Sequence, residues 1–99
     1  MIMFGLGGVF VEILKDVQFR LAPLTKDQSI EMMSAIKGYP ILEGTRGEKG
    51  VDFDALSDIL IRFSQLVLDF PEIDEFDLNP VLALVQGAVV VDARIKIKE

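Results

Sequence analysis

The sequence contains neither cysteine nor histidine. Without Cys there are no disulfides, no thiolate zinc clusters and no thiol nucleophile. Without His there is no Ser-His-Asp arrangement, no imidazole general base and no phosphohistidine within this chain. Basic charge is scarce too, with 10 Lys and Arg against 16 Asp and Glu and a net charge of −6. A nucleic-acid backbone needs a basic face to bind it, so no nucleic-acid partner is expected; an anionic membrane surface is disfavoured for the same reason. A small anion such as a nucleotide stays compatible with this charge if a metal ion supplies the positive counterpart. No apolar run reaches the ~18 residues of a membrane span. The N-terminus lacks the basic segment and long apolar stretch of a signal peptide. A cytoplasmic protein without membrane association is the expectation.

What is present narrows the chemistry. Carboxylates, Asn, Arg, Lys and backbone amides suit hard-metal and phosphate chemistry better than covalent hydrolysis. The 99 residues amount to one domain and are 51% hydrophobic, a high share for a small soluble domain. An apolar surface that meets a partner, including a second copy of the chain, fits that share.

Residues 9–14 (VFVEIL) and 17–21 (VQFRL) have β character. Their spacing predicts a hairpin with Val9, Val11 and Ile13 facing Val17, Phe19 and Leu21, and with Glu12 paired to Arg20 on the other face. Thr25-Lys26-Asp27-Gln28 is a capping box that opens a helix over about 26–37, with Ile30, Met33 and Ile36 on one stripe and Gly38 as a left-handed stop. Residues 43–50 (EGTRGEKG) form an exposed loop. Asp52 caps a second helix over about 53–70, in which Leu56, Leu60, Phe63, Val67 and Phe70 recur at 4-3-4-3 spacing and Asp54, Asp58, Arg62, Gln65 and Asp69 mark the wet side. Residues 73–79 alternate as a strand, and 81–85 turn at Gln86-Gly87 into AVVVDARIKI. The order β-β-α-α-β-β implies an α/β (α+β) two-layer sandwich with a mostly antiparallel four-stranded sheet and two helices.

The segment EFDLNP (75–80) puts Glu75, Asp77 and Asn79 on one strand face, with Phe76 and Leu78 on the other. A two-residue turn at Gln86-Gly87 pairs Val81 with Asp92 and Asn79 with Arg94, leaving Asn79 diagonal to Asp92. Asp77, Asn79, Asp92 and Arg94 then form one polar cluster on an apolar hairpin. A carboxylate and a carboxamide suit Mg²⁺, which takes one or two protein carboxylates and fills its sphere with water and substrate phosphates; Arg94 can hold a phosphate. The alternative is an ordinary wet sheet face with an Asp–Arg pair. Gly7 and Gly8 of GLGG are candidates to hold phosphate through backbone amides, against a plain glycine turn before a strand. No helix or Lys-Ser is expected to follow them, so this is not a Walker motif. Arg46, between the glycines of GTRG, can reach an anion.

FGLGGVFVEILKDVQFRLAPL (4–24), LEGTRGEKGVDFDAL (42–56), SQLVLDFPEIDEFDLNPVL (64–82) and GAVVVDARI (87–95) together resemble the C-terminal half of the ATP-grasp domain of ADP-forming (NDP-forming) acyl-CoA synthetases, of the acetyl-CoA synthetase beta-chain type. The resemblance implies an ATP-grasp C-terminal subdomain. It implies part of an acid–CoA ligase that interconverts acyl-CoA, ADP and phosphate with acid, CoA and ATP, using Mg²⁺ and ATP/ADP. By motif it carries the metal role to Asn79 and Asp92, leaves Asp77 as an alternative ligand or outer support, and makes Arg46 a phosphate contact with Arg94 beside the metal Asp. The first half of the ATP-grasp domain and the CoA-binding subunit are the implied partners. The phosphate-relay His must come from elsewhere, so the chain is expected to be inactive alone. A second reading is a non-catalytic, regulatory ATP-grasp-like domain of the kind fused to acetyltransferases; a third is a free-standing dimerising sandwich without ligand.

Overall fold

The computed structural model describes residues 2–44, 47, 49–78 and 80–97, with only the backbone described at Val9 and Phe10. In chain order the elements are β1 (Ile2–Gly5), α1 (Val9–Glu12), β2 (Val17–Arg20), α2 (Lys26–Ser34), α3 (Tyr39–Glu43), α4 (Phe53–Asp69), β3 (Ile73–Leu78), β4 (Val81–Ala83), β5 (Ala88–Val90) and β6 (Ala93–Ile97). The α+β class with antiparallel strands is as expected. The single four-stranded sheet is not: among the described residues the strands form three two-stranded ladders, β1–β2, β3–β6 and β4–β5.

The N-terminal hairpin also differs. Residues 9–12 form one helical turn, in which the Val11 and Glu12 amides donate to the Gly8 carbonyl at 3.1 and 2.9 Å. The partner of β2 is β1, in a register that runs from Ile2 opposite Arg20 to Gly5 opposite Val17. Burial decides the competition. Ile2 is 1% exposed in the core, whereas Ile13 and Leu14 are 70% and 63% exposed. β propensity measures the fit to a half-buried surface, and Ile13 and Leu14 have no such surface to meet. Arg20 consequently pairs with Glu31 of α2, at 3.4 Å, and not with Glu12.

α2 begins as its capping box requires. The Gln28 amide donates to the Thr25 hydroxyl at 3.1 Å, and the Thr25 amide donates to the Gln28 side chain at 3.0 Å. The helix stops three residues short of its expected end, and α3 follows with Pro40 in its first turn. Gly38 is not a left-handed stop, since its φ is −77°. Space explains the glycine: a Cβ there would lie 2.5 Å from Leu6 Cδ1. The junction is anchored by Asp16, whose two carboxylate oxygens accept from the Lys37 and Gly38 amides at 2.7 and 2.8 Å.

α4 carries the core. Leu56 and Leu60 are buried against Met32 and Met33 of α2, Ile2 of β1 and Leu24. Phe63 and Val67 continue the stripe half-buried, while Phe70 at its end is exposed. Asp58–Arg62 and Gln65–Asp69 pair along the wet side at 3.0 and 2.8 Å. Three buried serines sit on these two helices. The Ser29 and Ser57 hydroxyls bond across the interface, and the Ser64 hydroxyl accepts the Leu24 amide at 3.1 Å. Their small side chains let the helices approach, and their hydroxyls find partners, so burial leaves no polar atom orphaned among them.

Met33 is fully buried. Met33→Ala is expected to lower the unfolding free energy by about 2–5 kcal/mol, and Thr25→Ala by about 1 kcal/mol, both read by denaturant titration.

Candidate functional site

β3 follows the end of α4 through Pro71 and lays Phe76 against Phe63, ring centroids 4.9 Å apart. Phe76 and Leu78 line a shallow apolar groove of about 320 Å³ with Ile59, Phe63 and Leu66 of α4. Because strand side chains alternate, Glu75 and Asp77 are directed to the opposite face, toward solvent. β6 pairs with this strand so that Asp77 stands opposite Arg94 and Glu75 opposite Lys96. Arg94 Nε lies 3.8 Å from Asp92 Oδ2, and both side chains are exposed. An exposed pair at that distance contributes little to stability, so both groups remain available to a ligand.

The register is two residues from the expected one. Val81 pairs with Val90 and Ala83 with Ala88. The turn is centred on Val85-Gln86, closed by the Leu84 amide on the Gly87 carbonyl at 3.1 Å, and Gly87 follows at φ +82°, where glycine is favoured. A shift of two keeps every side chain on its own face, which is why Asp77 and Arg94 still share one. Val81 is therefore not opposite Asp92, and Arg94 is opposite Asp77. Asn79 lies outside the described residues. The segments on either side of it are placed: Leu78 pairs with Ala93, Val81 with Val90, and the Val91 amide donates to the Pro80 carbonyl at 3.0 Å. Those partners flank Asp92.

Of the other candidates, Arg46 lies outside the described residues. Gly7 and Gly8 are exposed, Gly8 at φ +66°, and a one-turn helix does follow them where none was expected. They sit in the β1–α1 connection, a different part of the chain from the β3–β6 ladder. Among the described residues no three carboxylates gather closely enough to hold a metal by themselves. The donors that are present, Asp92 with Asp77 on the neighbouring strand, match the one or two carboxylates with which Mg²⁺ is ordinarily held when phosphates complete its sphere.

One residue does more than the sequence suggested. Asp52 caps α4 as expected, with the Ala55 amide donating to Oδ1 at 3.0 Å. Its Oδ2 also accepts the Gly87 amide at 2.8 Å, and its own amide donates to the Leu84 carbonyl at 2.8 Å. The carboxyl is held below its usual pKa, first by the Gly87 amide and then by that of Ala55, against a smaller opposing effect of burial. The cap is readable as an Asp before a helical stripe; the second bond depends on a turn 35 residues away and has no local signal.

A family profile described as the ATP-grasp domain matches residues 1–97, and the chain belongs to that family. Within it, the chain is similar to ADP-forming acetate–CoA ligases. The beta subunit of acetate–CoA ligase (ADP-forming) I from Pyrococcus furiosus is 57% identical over 93 residues, which cover 94% of this chain and 40% of that subunit. Acetate–CoA ligase (ADP-forming) I from Archaeoglobus fulgidus is 54% identical over 99 residues, all of this chain and 14% of that one. The apo form of dinucleotide forming acetyl-coenzyme A synthetase 1 from Ca. Korarchaeum cryptofilum superposes with a TM-score of 0.93 at 49% identity, over 97% of this chain and 46% of that one. The same synthetase in complex with coenzyme A and Mg-AMPPCP, its phosphohistidine segment pointing towards the nucleotide binding site, gives 0.92 at 49% identity over 97% and 45%. The chain thus spans less than half the length of these relatives.

A depressed carboxyl pKa stabilises the fold while the group is ionised. That contribution is complete above the ordinary aspartate value and is lost as pH falls through the lower value in the folded chain. The stability difference between the unchanged chain and Asp52→Ala is therefore expected to be constant near neutrality and to shrink below about pH 4, measured by urea unfolding across that range.

Proposed function

We propose that this chain forms one wall of the Mg²⁺–nucleotide site of an ADP-forming acyl-CoA ligase, of the acetate–CoA type, and is inactive until the rest of the ligase joins it. The observation that carries the reading is the pair of ladders that set the segments flanking position 79 against those flanking Asp92, beside a β3 whose Asp77 is exposed and whose Phe76 meets α4. The similarity to a synthetase solved with Mg-AMPPCP supports the choice of ligand.

Asp92 and Asn79 are the residues to hold Mg²⁺, with Asp77 as alternative ligand or outer support. When bound, Mg²⁺ neutralises phosphate charge during phosphoryl transfer. Arg94, opposite Asp77 and beside Asp92, orients a phosphate oxygen; Arg46 takes another. Gly7 and Gly8 offer backbone amides to a phosphate. As metal ligands and anion contacts, these groups contribute positioning and charge balance. The chain has no His, and the phosphate-relay residue belongs to another part of the ligase. The remaining half of the ATP-grasp domain and a CoA-binding subunit are the partners. Exposed Val89, Val91, Ile95 and Ile97 on the C-terminal strands are apolar surface for such a partner to cover.

Mixing the chain with its missing half and a CoA-binding subunit is expected to restore Mg·ADP-dependent release of CoA from acetyl-CoA. Asp92→Ala and Asn79→Ala are each expected to lower kcat/KM by more than about ten-fold, since even the outer partners of a metal ligand are worth that much. Unchanged activity in both variants removes the metal assignment.

A further inference from the structure

Asp52 bonds two separate pieces of the molecule. It follows the 43–50 loop, starts α4, and binds the far end of the β4–β5 hairpin through two hydrogen bonds, one accepted by its side chain from Gly87 and one donated by its backbone to Leu84. The near end of the same hairpin is closed by the Val91 amide on the Pro80 carbonyl, next to Asp92. The hairpin is only three residues long on each side. A two-stranded hairpin of that length has no independent stability. Its inner side chains Val81, Ala83 and Ala88 rest on the core as half-buried partners, while Leu82 and Val89 face outward and are exposed. Packing on small side chains leaves freedom to slide and tilt, and hydrogen bonds of fixed direction remove it.

We propose that Asp52 is a positioning residue for the nucleotide–metal site: by bonding the tip of the β4–β5 hairpin to the start of α4, it sets where the base of that hairpin presents Asp92. The inference rests on the proposed site, and it assigns to the helix cap a role in ligand geometry that a cap alone does not have. The side chain's two bonds use different oxygens, so they separate by substitution, while the main-chain bond to Leu84 is kept. Asp52→Asn keeps an oxygen for the Ala55 amide, and Asn caps helices as well as Asp does. The amide nitrogen that replaces the second oxygen cannot accept from Gly87. Asp52→Ser also caps and likewise offers a single oxygen.

The experiment measures steady-state kinetics of the full ligase assembly containing this chain, at limiting Mg²⁺, with thermal melting of each variant. Asp52→Asn and Asp52→Ser are expected to raise the KM for ADP about ten-fold, the scale on which outer partners tune a metal site, with kcat changed less and the melting midpoint nearly kept. Thr25→Ala, which removes the cap of α2 but none of the hairpin's hydrogen bonds, is expected to leave that KM unchanged. An unaltered KM in both Asp52 variants, while Asp92→Ala still disables the ligase, overturns the positioning role and leaves the metal reading standing. An equal rise in Thr25→Ala overturns it too, because general loosening then accounts for the effect. Full activity in Asp92→Ala removes the metal reading itself, and the inference with it.

Discussion

Leu56 and Leu60 of α4 meet Met32 and Met33 of α2 across an interface lined by Ser29 and Ser57, and the rest of the molecule is arranged around that contact. Burying four apolar side chains of this size contributes about 1.5–3 kcal/mol each. Helices can come this close only because serine, not a larger residue, stands between them. Once α4 is fixed on α2, its remaining faces place the C-terminal strands. Phe63 receives Phe76 of β3, and the start of α4 receives the β4–β5 turn through Asp52. The short strand pairs depend on the helices for their positions: β1 and β2 lie against α2, and the C-terminal strands meet α4.

The division of labour between the two faces of β3 comes from that arrangement. One face supplies Phe76 and Leu78 to the α4 groove. The other has no layer over it among the described residues and displays Glu75 and Asp77 opposite Lys96 and Arg94. Acidic and basic groups alternate there in long, exposed ion pairs, Arg94–Asp92 at 3.8 Å and Lys96–Asp74 at 3.7 Å. A face of this kind can receive a cation and an anion together, which is what a magnesium-bound phosphate presents. On the proposed reading, an acidic chain serves a nucleotide because the positive charge is local, not a property of the whole surface.

The exposed apolar residues and the partial coverage of the relatives point the same way. A chain that is 51% hydrophobic and leaves Ile13, Leu14, Val91 and Ile95 open to solvent has apolar surface for a partner to cover. Relatives that match along nearly its whole length continue for more than as long again. On the proposed reading, function is shared across a seam, and the residues on this side of it position ligands without completing a reaction.

Local signals determined a good part of this structure. Thr25 and Asp52 start helices because a side-chain oxygen next to free amides acts over one turn. The stripe of α4 and the alternation of residues 73–78 reflect the geometry of a single element. Face-sharing of Asp77 and Arg94 survived a two-residue change of register, because strand parity has a period of two. Only tertiary structure decided which segment pairs with β2, since VFVEIL has all the local marks of a strand and loses to Ile2–Gly5, whose Ile2 reaches the core. The turn at Val85-Gln86 was decided the same way: Gln86-Gly87 is the better local turn, but Asp52, far off in sequence, binds the Leu84 carbonyl and the Gly87 amide. Partner choice and register depend on burial and on bonds between distant residues, and no window of neighbouring residues contains those.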